Sequence, residues 1–201
     1  MRSRSFIAIA LLFFSLQSFR LSESVTGKSI TNFSLRAVDN KDVSLDSYPN
    51  AKGFIIIFIC NRCPFAKLYT QRLNNISARY ALLNVPLLAI NSMDTIAYGD
   101  ESLNKMKERA MAEGYKFPYL SDGSQTVAKV FSAEKTPHAF VLWKENNEWI
   151  VKYNGAIDDN GAESDSVKNP YLVNAVDQLL AGKQVSNPET RSIGCYIHYR
   201  K

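Results

Sequence analysis

At residues 54–64 the chain reads FIIIFICNRCP, an apolar run that leads directly into Cys60, Cys63 and Pro64. A run that is apolar at every position is typical of a central strand in a sheet covered on both faces. Two cysteines with this spacing, placed where such a strand gives way to a helix, lie within one helical turn of each other. The stretch therefore predicts a dithiol redox centre that closes a small disulfide ring.

The expected surroundings of the cysteine pair favour the thiolate that attacks disulfides or peroxides. The N-terminus of a helix carries unpaired N–H groups and partial positive charge, and Arg62 adds a full charge inside the loop. We expect Cys60, at the exposed end of the helix, to form a mixed disulfide with the substrate. We expect Cys63, one turn in and more buried, to resolve it.

A metal site is the alternative for this spacing. A Cys-x-x-Cys pair also suits half of a tetrahedral zinc site, but the sequence has no second such pair and no pair of histidines to complete it. The segment Asp158-Asp159-Asn160 could be read as a cation site, yet neighbours in one turn rarely supply enough oxygens for Ca²⁺. We therefore expect no metal and no other cofactor, and a turn capped by its own side chains at residues 158–160.

The N-terminal residues have the features of an export signal. Arg2 and Arg4 precede an apolar stretch over residues 6–14, and Ser22 and Ser24 fit the small residues before a cleavage site. That stretch is too short to cross a bilayer, which takes about 20 residues. We predict a signal peptide over residues 1–24 and one folded domain over residues 25–201. The mature protein is then periplasmic or otherwise extracytoplasmic, without stable membrane insertion; a frayed helix of a cytosolic protein is the alternative.

Composition restricts the possible partners. The formal net charge of +5 falls to +3 without residues 1–24, which hold three arginines and one glutamate, and the remaining basic residues are scattered. Nucleic acid binding is therefore not expected. Three cysteines are too few for a disulfide-stapled scaffold and suit a reactive pair plus one more. We expect a monomer whose partners are protein thiols or disulfides and an unidentified thiol electron donor or acceptor.

The order of secondary structure follows from apolar periodicity. Alternation predicts an opening hairpin, and the later segments alternate between strands and amphipathic helices before a second hairpin and a terminal helix. In order, the predicted elements are a hairpin at 32–45, a strand at 54–59, a helix over 65–80, a strand at 85–90, a helix around 103–110, a short helix at 127–131, strands at 139–143 and 149–153, and a helix from the N-cap Asn169 to Gly182. This order indicates a mixed sheet with helices on both faces.

This arrangement resembles the thioredoxin fold, and more specifically the redoxin branch related to alkyl hydroperoxide reductase and thiol-specific antioxidant proteins. The motifs that carry the resemblance are Phe33-Ser34-Leu35, residues 58–64, 89–94 and 117–120, Thr136-Pro137, residues 155–160 and Ile193-Gly194-Cys195. The resemblance spans roughly residues 30–197. It implies an α/β thioredoxin-like fold with a central mixed sheet, helices on both faces and an N-terminal β-hairpin.

The resemblance also implies roles for residues outside the cysteine loop. Pro137 should follow a cis peptide bond and face the cysteines, leaving backbone groups near Thr136 free to bind an extended substrate. His138 could stabilise a thiolate or relay a proton, and a structural histidine at the start of a strand is the alternative. The buried acid that thioredoxins often carry before the first cysteine is replaced by Phe54. Cys195 could resolve a disulfide, pair between chains or simply be packed.

The leading functional interpretation is a thiol–disulfide oxidoreductase that uses a reversible Cys60–Cys63 disulfide. A peroxiredoxin-like thiol peroxidase with an antioxidant role is the first alternative, although Cys60 stands where those relatives have a threonine that orients the peroxide. A copper-binding assembly factor on the same fold is the second. Those relatives space their two cysteines one residue further apart, and only His138 is available here as a third ligand.

Overall fold

The computed structural model describes residues 24–200, so the predicted signal peptide lies outside them except for Ser24. No helix in this part of the chain is long and apolar enough to cross a membrane. The strands are β1 (Ser29–Ile30), β2 (Ser34–Ala37), β3 (Asp42–Ser44), β4 (Gly53–Phe58), β5 (Leu87–Asn91), β6 (Tyr119–Ser121), β7 (Lys135–Thr136), β8 (His138–Glu145), β9 (Glu148–Gly155) and β10 (Cys195–Tyr196). The α-helices are α1 (Pro64–Leu68), α2 (Thr70–Ala81), α3 (Leu103–Ala112), α4 (Thr126–Val130) and α5 (Tyr171–Leu180).

The central sheet is mixed and has eight strands in the order β1-β9-β8-β4-β5-β6-β2-β3. The pairs β4–β5 and β5–β6 are parallel, and β8 runs antiparallel to β4 with Phe58 opposite His138. β2 and β3 form the predicted N-terminal hairpin, in which Leu35 lies opposite Val43. A second, two-stranded sheet pairs β10 with β7. The predicted α/β thioredoxin-like architecture is confirmed.

Alternation along β4 divides the core into two layers. Ile55 and Ile57 pack on one face with residues of α2, α3 and α5, whereas Phe54, Ile56 and Phe58 pack on the other face with residues of α4. All six residues of β4 are buried, which is why the strand reads as a continuous apolar run. Helices therefore cover both faces of the sheet, as predicted.

Two helix boundaries differ from the sequence prediction. The helix expected over residues 65–80 is divided at Tyr69, which ends α1 and precedes α2, and the hydroxyl of Tyr69 donates a hydrogen bond to Asp158 at 2.9 Å. The predicted N-cap of the terminal helix, Asn169, is also wrong, because Pro170 occupies that position. The Asn169 side chain instead donates to Asp159 at 2.7 Å.

Candidate active site

The two cysteines of the predicted redox pair lie in the loop that joins β4 to α1. Cys63 is the N-cap residue of α1 and Pro64 is its first residue. Both thiols are free and buried, with exposed fractions of 3% for Cys60 and 1% for Cys63. The sequence placed Cys60 at an exposed helix end, but in the structure it is buried, because it lies four residues before the first residue of α1 and its sulfur contacts Thr136 of β7.

Thr136 contacts both sulfurs. The Cys60 Sγ lies 3.2 Å from the Thr136 hydroxyl, and the Cys63 thiol donates to the Thr136 carbonyl oxygen at 2.9 Å. The antiparallel pairing of β4 with β8 brings the two segments together, since Phe58 precedes one and His138 follows the other. The Thr136–Pro137 peptide bond is cis, as the resemblance implied.

The third cysteine belongs to the same cluster. β10 pairs with β7 so that Cys195 lies opposite Thr136, and the Cys195 thiol is within hydrogen-bonding reach of the Cys63 sulfur. Sequence reasoning left the role of Cys195 open because nothing in the sequence indicates that residues 195 and 63 meet. The same pairing corrects a second expectation: β10 already occupies the backbone beside Thr136 that was expected to be free for an extended substrate.

A buried carboxylate fastens the loop between the cysteines. Glu101 is fully buried and accepts hydrogen bonds from the backbone N–H groups of Asn61 at 2.8 Å and Arg62 at 3.1 Å, and from the Asn91 side chain at 2.8 Å. The Asn61 side chain donates to the Asp100 carbonyl oxygen at 2.7 Å. The two amide groups that follow Cys60 are therefore committed to Glu101 and do not stabilise a Cys60 thiolate.

Nothing in the sequence indicates that Glu101 belongs to the site. It lies in a polar stretch between β5 and α3 that resembles any solvated helix start, and only the fold shows that it is buried. Tyr119, also buried, completes the loop by donating its hydroxyl proton to the Asn61 side-chain oxygen at 3.0 Å.

Electrostatics distinguish the two thiols of the pair. The hydrogen bond from Cys60 to Cys63 is the largest cause of both shifts: it lowers the pKa of Cys63 to about 4 and raises that of Cys60. Burial and the negative charge of Glu101 raise the pKa of Cys60 further, whereas the backbone N–H of Ala66 in α1 helps to lower that of Cys63. One proton thus leaves the pair readily, and the second remains on Cys60.

The two predicted modulators do not act on the sulfurs directly. Arg62 is exposed, and among the described contacts its guanidinium makes none with either cysteine. His138 is buried on the opposite face of the sheet, where its ring packs on Phe140 and its nitrogens face the Glu134 N–H and the Asn154 side chain. Burial lowers the pKa of His138 to about 4, so it is a neutral structural residue.

The position of His138 also removes the third ligand that a copper site would need. Within residues 24–200, no three His, Cys, Asp or Glu side chains are grouped so that they could hold a metal ion. The turn at residues 158–160 is likewise engaged by protein groups: Asp158 pairs with Arg72 at 2.5 Å and accepts the Asn160 backbone N–H at 3.0 Å. It is a capped turn, as expected.

A cavity of about 240 Å³ lies beside the cysteine cluster. Its wall includes Pro137 and three exposed apolar side chains, Phe65, Leu68 and Ile193. Exposed apolar side chains grouped beside a reactive centre are a feature of surfaces that contact other molecules. The opposite wall is formed by the turn at residues 158–160.

The comparisons with known proteins agree with this geometry. The AhpC/TSA family profile matches residues 26–159. The comparison with curated proteins found no match. Among solved structures, a hypothetical protein from Sinorhizobium meliloti 1021 is 34% identical, with a TM-score of 0.78 over 87% of this chain and 94% of its own.

Two more distant structures share the fold alone. Peroxidoxin BcpB from Mycobacterium tuberculosis is 16% identical, with a TM-score of 0.56 over 78% of this chain and 94% of its own. A putative thiol:disulfide interchange protein DsbE from Chlorobium tepidum is 13% identical, with the same TM-score over 78% of this chain and 96% of its own. The family profile covers most of the described chain, including both cysteines of the loop, and this chain therefore belongs to the AhpC/TSA family.

Proposed function

We propose that this protein is a thiol–disulfide oxidoreductase that works through a reversible Cys60–Cys63 disulfide. One observation carries the proposal: the sulfurs of Cys60 and Cys63 lie together in the loop before α1, and both contact Thr136, which precedes the cis-proline. A pair already in contact needs little rearrangement to close a disulfide, and its shared proton makes one sulfur ready to ionise.

The two thiols share one proton, and its movement between the sulfurs would let either of them act as the thiolate. Cys60 attacks a sulfur of the substrate disulfide, and its proton passes along the existing hydrogen bond to the Cys63 thiolate. Cys63 thereby supplies the proton acceptor that is absent at Phe54, and the Thr136 hydroxyl lies where it can donate to the charge developing on Cys60. One sulfur of the substrate forms a mixed disulfide with Cys60. The other departs as a thiolate and takes a proton from water.

The second half of the reaction regenerates a free substrate. Cys63 loses its proton again and attacks the Cys60 sulfur of the mixed disulfide. The second substrate sulfur leaves as a thiolate, and the protein retains the Cys60–Cys63 disulfide. The substrate is thus reduced by two electrons that the dithiol loses, and the reverse sequence oxidises a partner dithiol.

A titration in glutathione redox buffers tests this proposal. Free thiols are trapped with an alkylating reagent, and the disulfides are located by peptide mass. We expect Cys60 and Cys63 to interconvert as a pair, with a midpoint near about −270 mV for a reductant or near about −120 mV for an oxidant. Cys60→Ser should abolish the reduction of substrate disulfides, which the attack by Cys60 begins, whereas Cys63→Ser should retain mixed disulfides. A Cys60→Ser protein with full exchange activity would refute the assignment.

Thiol peroxidase activity is the second candidate, and the position of Cys63 favours it. Cys63 is the N-cap of α1, is followed by a proline as in peroxiredoxins, and has a lowered pKa. Peroxide would oxidise the Cys63 thiolate to a sulfenic acid. The Cys60 thiol would then condense with the sulfenic acid to form the Cys60–Cys63 disulfide and release water. Consumption of hydrogen peroxide in the presence of dithiothreitol, compared with the Cys63→Ser protein, tests this activity.

The partners and location are part of the proposal. We propose that the monomeric protein exchanges electrons with protein thiols and a separate thiol donor or acceptor outside the cytoplasm, on the strength of the N-terminal sequence. The mass of the protein purified from its native source tests the location. Loss of about 24 N-terminal residues supports export, and an intact N-terminus argues against it.

A further inference from the structure

Cys195 is held against the redox pair by the close packing of the C-terminal segment. β10 pairs with β7, and the next residue, Ile197, donates its N–H to the Glu134 carbonyl oxygen at 2.8 Å. Gly194 lies so close to Thr136 that a Cβ there would overlap the Thr136 carbonyl group. The C-terminal segment therefore packs directly against Thr136, the residue that contacts Cys60 and Cys63, and only a glycine at position 194 allows the two segments to come this close.

Of the three cysteines in the cluster, only Cys195 is partly exposed to solvent. Cys60 and Cys63 are buried, whereas Cys195 is only partly buried and packs against the core cluster that contains the other two. The Cys195 thiol reaches Cys63. An external thiol thus meets Cys195 before it meets either sulfur of the pair.

We propose that Cys195 is a third redox cysteine, which exchanges with the Cys60–Cys63 disulfide and transfers it towards the surface. This inference rests on the proposed oxidoreductase function. The Cys195 thiolate attacks the Cys63 sulfur, a Cys63–Cys195 bond forms, and the Cys60–Cys63 bond breaks. Cys60 leaves as a thiolate and takes up the proton that Cys195 released, so the exchange involves no net oxidation.

In the next step, the Cys63–Cys195 disulfide is transferred to a partner that carries two thiols. A partner thiolate attacks the Cys195 sulfur, and Cys63 leaves; its low pKa makes it a good leaving group. The second thiol of the partner then attacks the partner sulfur of the mixed disulfide. Cys195 leaves as a thiolate and takes up the proton that this second thiol releases. The protein ends with three thiols and the partner with one disulfide.

The electrostatics of Cys195 make the relay depend on the oxidation state of the pair. Burial and the interaction with Cys63 raise the pKa of Cys195 to about 11 in the reduced protein. Once Cys63 is bound in a disulfide, its negative charge is gone, and the part of the shift that it causes disappears. Cys195 therefore ionises more readily when there is a disulfide for it to attack.

Disulfide mapping in the Cys60→Ser protein tests the relay. The variant is oxidised with diamide, its free thiols are alkylated, and its disulfides are located by peptide mass after a circular dichroism check of folding. We expect an intramolecular Cys63–Cys195 disulfide in most molecules. Adding Gly194→Ala, which displaces β10 without changing a sulfur, should lower that yield at least several-fold. In Cys63→Ser, no Cys60–Cys195 disulfide is expected.

Two results would overturn the relay. One is a Cys60→Ser protein in which Cys63 and Cys195 both remain free or are linked only between molecules. The other is an undiminished yield in the Gly194→Ala double variant. The Cys195→Ser protein examined in glutathione buffers keeps the two proposals apart: a missing Cys60–Cys63 disulfide there refutes the proposed function, whatever the result in Cys60→Ser.

Discussion

Replacing Glu101 by glutamine should destabilise the protein and make Cys60 more reactive at the same time. The Glu101 carboxylate accepts two hydrogen bonds on Oε2 and one on Oε1, all inside the protein. In Glu101→Gln, the amide oxygen can replace Oε2. The amide NH₂ group then faces the Arg62 backbone N–H, so that one hydrogen bond is lost and two donors are opposed.

The expected magnitude follows from that count. Losing a hydrogen bond to a charged group costs about 2 kcal/mol of the free energy of unfolding. For a domain of this size, such a loss lowers the melting temperature by roughly 4 to 8 °C. The substitution also removes the negative charge that raises the pKa of Cys60, so this pKa should fall. Cys60 should then react faster with iodoacetamide at a given pH.

The neighbouring acid supplies a matched control. Asp100 is exposed, and only its backbone carbonyl oxygen contacts the loop, so Asp100→Asn removes the same charge and leaves every hydrogen bond of the loop in place. The free energy of unfolding of Asp100→Asn, measured in urea, should lie within about 0.5 kcal/mol of that of the native protein. Equal stability and equal alkylation rates for the two variants would refute the role given to Glu101.

Three other variants test separate parts of the structure. Thr136→Val keeps the side-chain shape but removes the hydroxyl that lowers the pKa of both Cys60 and Cys63, so alkylation at pH 7 should slow. His138 has a pKa of about 4 when folded, against an ordinary 6.5, so the unfolded chain binds the proton first as the pH falls. In urea unfolding experiments, the free energy of unfolding should fall by up to about 3 kcal/mol between pH 7 and pH 4, and by less in the His138→Gln protein. Asp158→Asn removes the carboxylate partner of the largely buried Arg72 and should lower the free energy of unfolding by about 3 kcal/mol in the same assay. Glu108→Gln, in an exposed pair with Lys105, should lower it by under about 1 kcal/mol.

The sequence was most informative where one property repeats along the chain. β4 is apolar at every position because both of its faces are covered, and the alternation in β2 and β3 follows from a hairpin with one exposed face. Such patterns depend on local geometry and on burial alone, so the order of elements along the chain and the helices on both faces of the sheet could be predicted. The cis bond before Pro137 was available only through the resemblance to a family, since nothing local distinguishes it.

The site depends on contacts between residues that are far apart in the chain. Cys60 and Thr136 are 76 residues apart, and Asn61 and Glu101 are 40 residues apart. No periodicity encodes such pairs, because each depends on the register between strands and on the path of one loop. His138 could not be assigned from the sequence for a similar reason, since the sequence does not show which face of the sheet it occupies. It packs on Phe140, on the face opposite the two cysteines.

The thiol of Cys60 determines how the two candidate functions can be separated. A hydroxyl in this place could make hydrogen bonds but no disulfide, whereas a thiol can do both with Cys63. Peroxide and a partner disulfide would therefore both leave the same Cys60–Cys63 disulfide, so identifying that product cannot distinguish the functions. The rates can. A peroxidase should oxidise its dithiol far faster with hydrogen peroxide than with glutathione disulfide, whereas an oxidoreductase should show no such preference. Because Cys60 stands where peroxiredoxins have the threonine that orients the peroxide, we expect no preference for peroxide in the native protein.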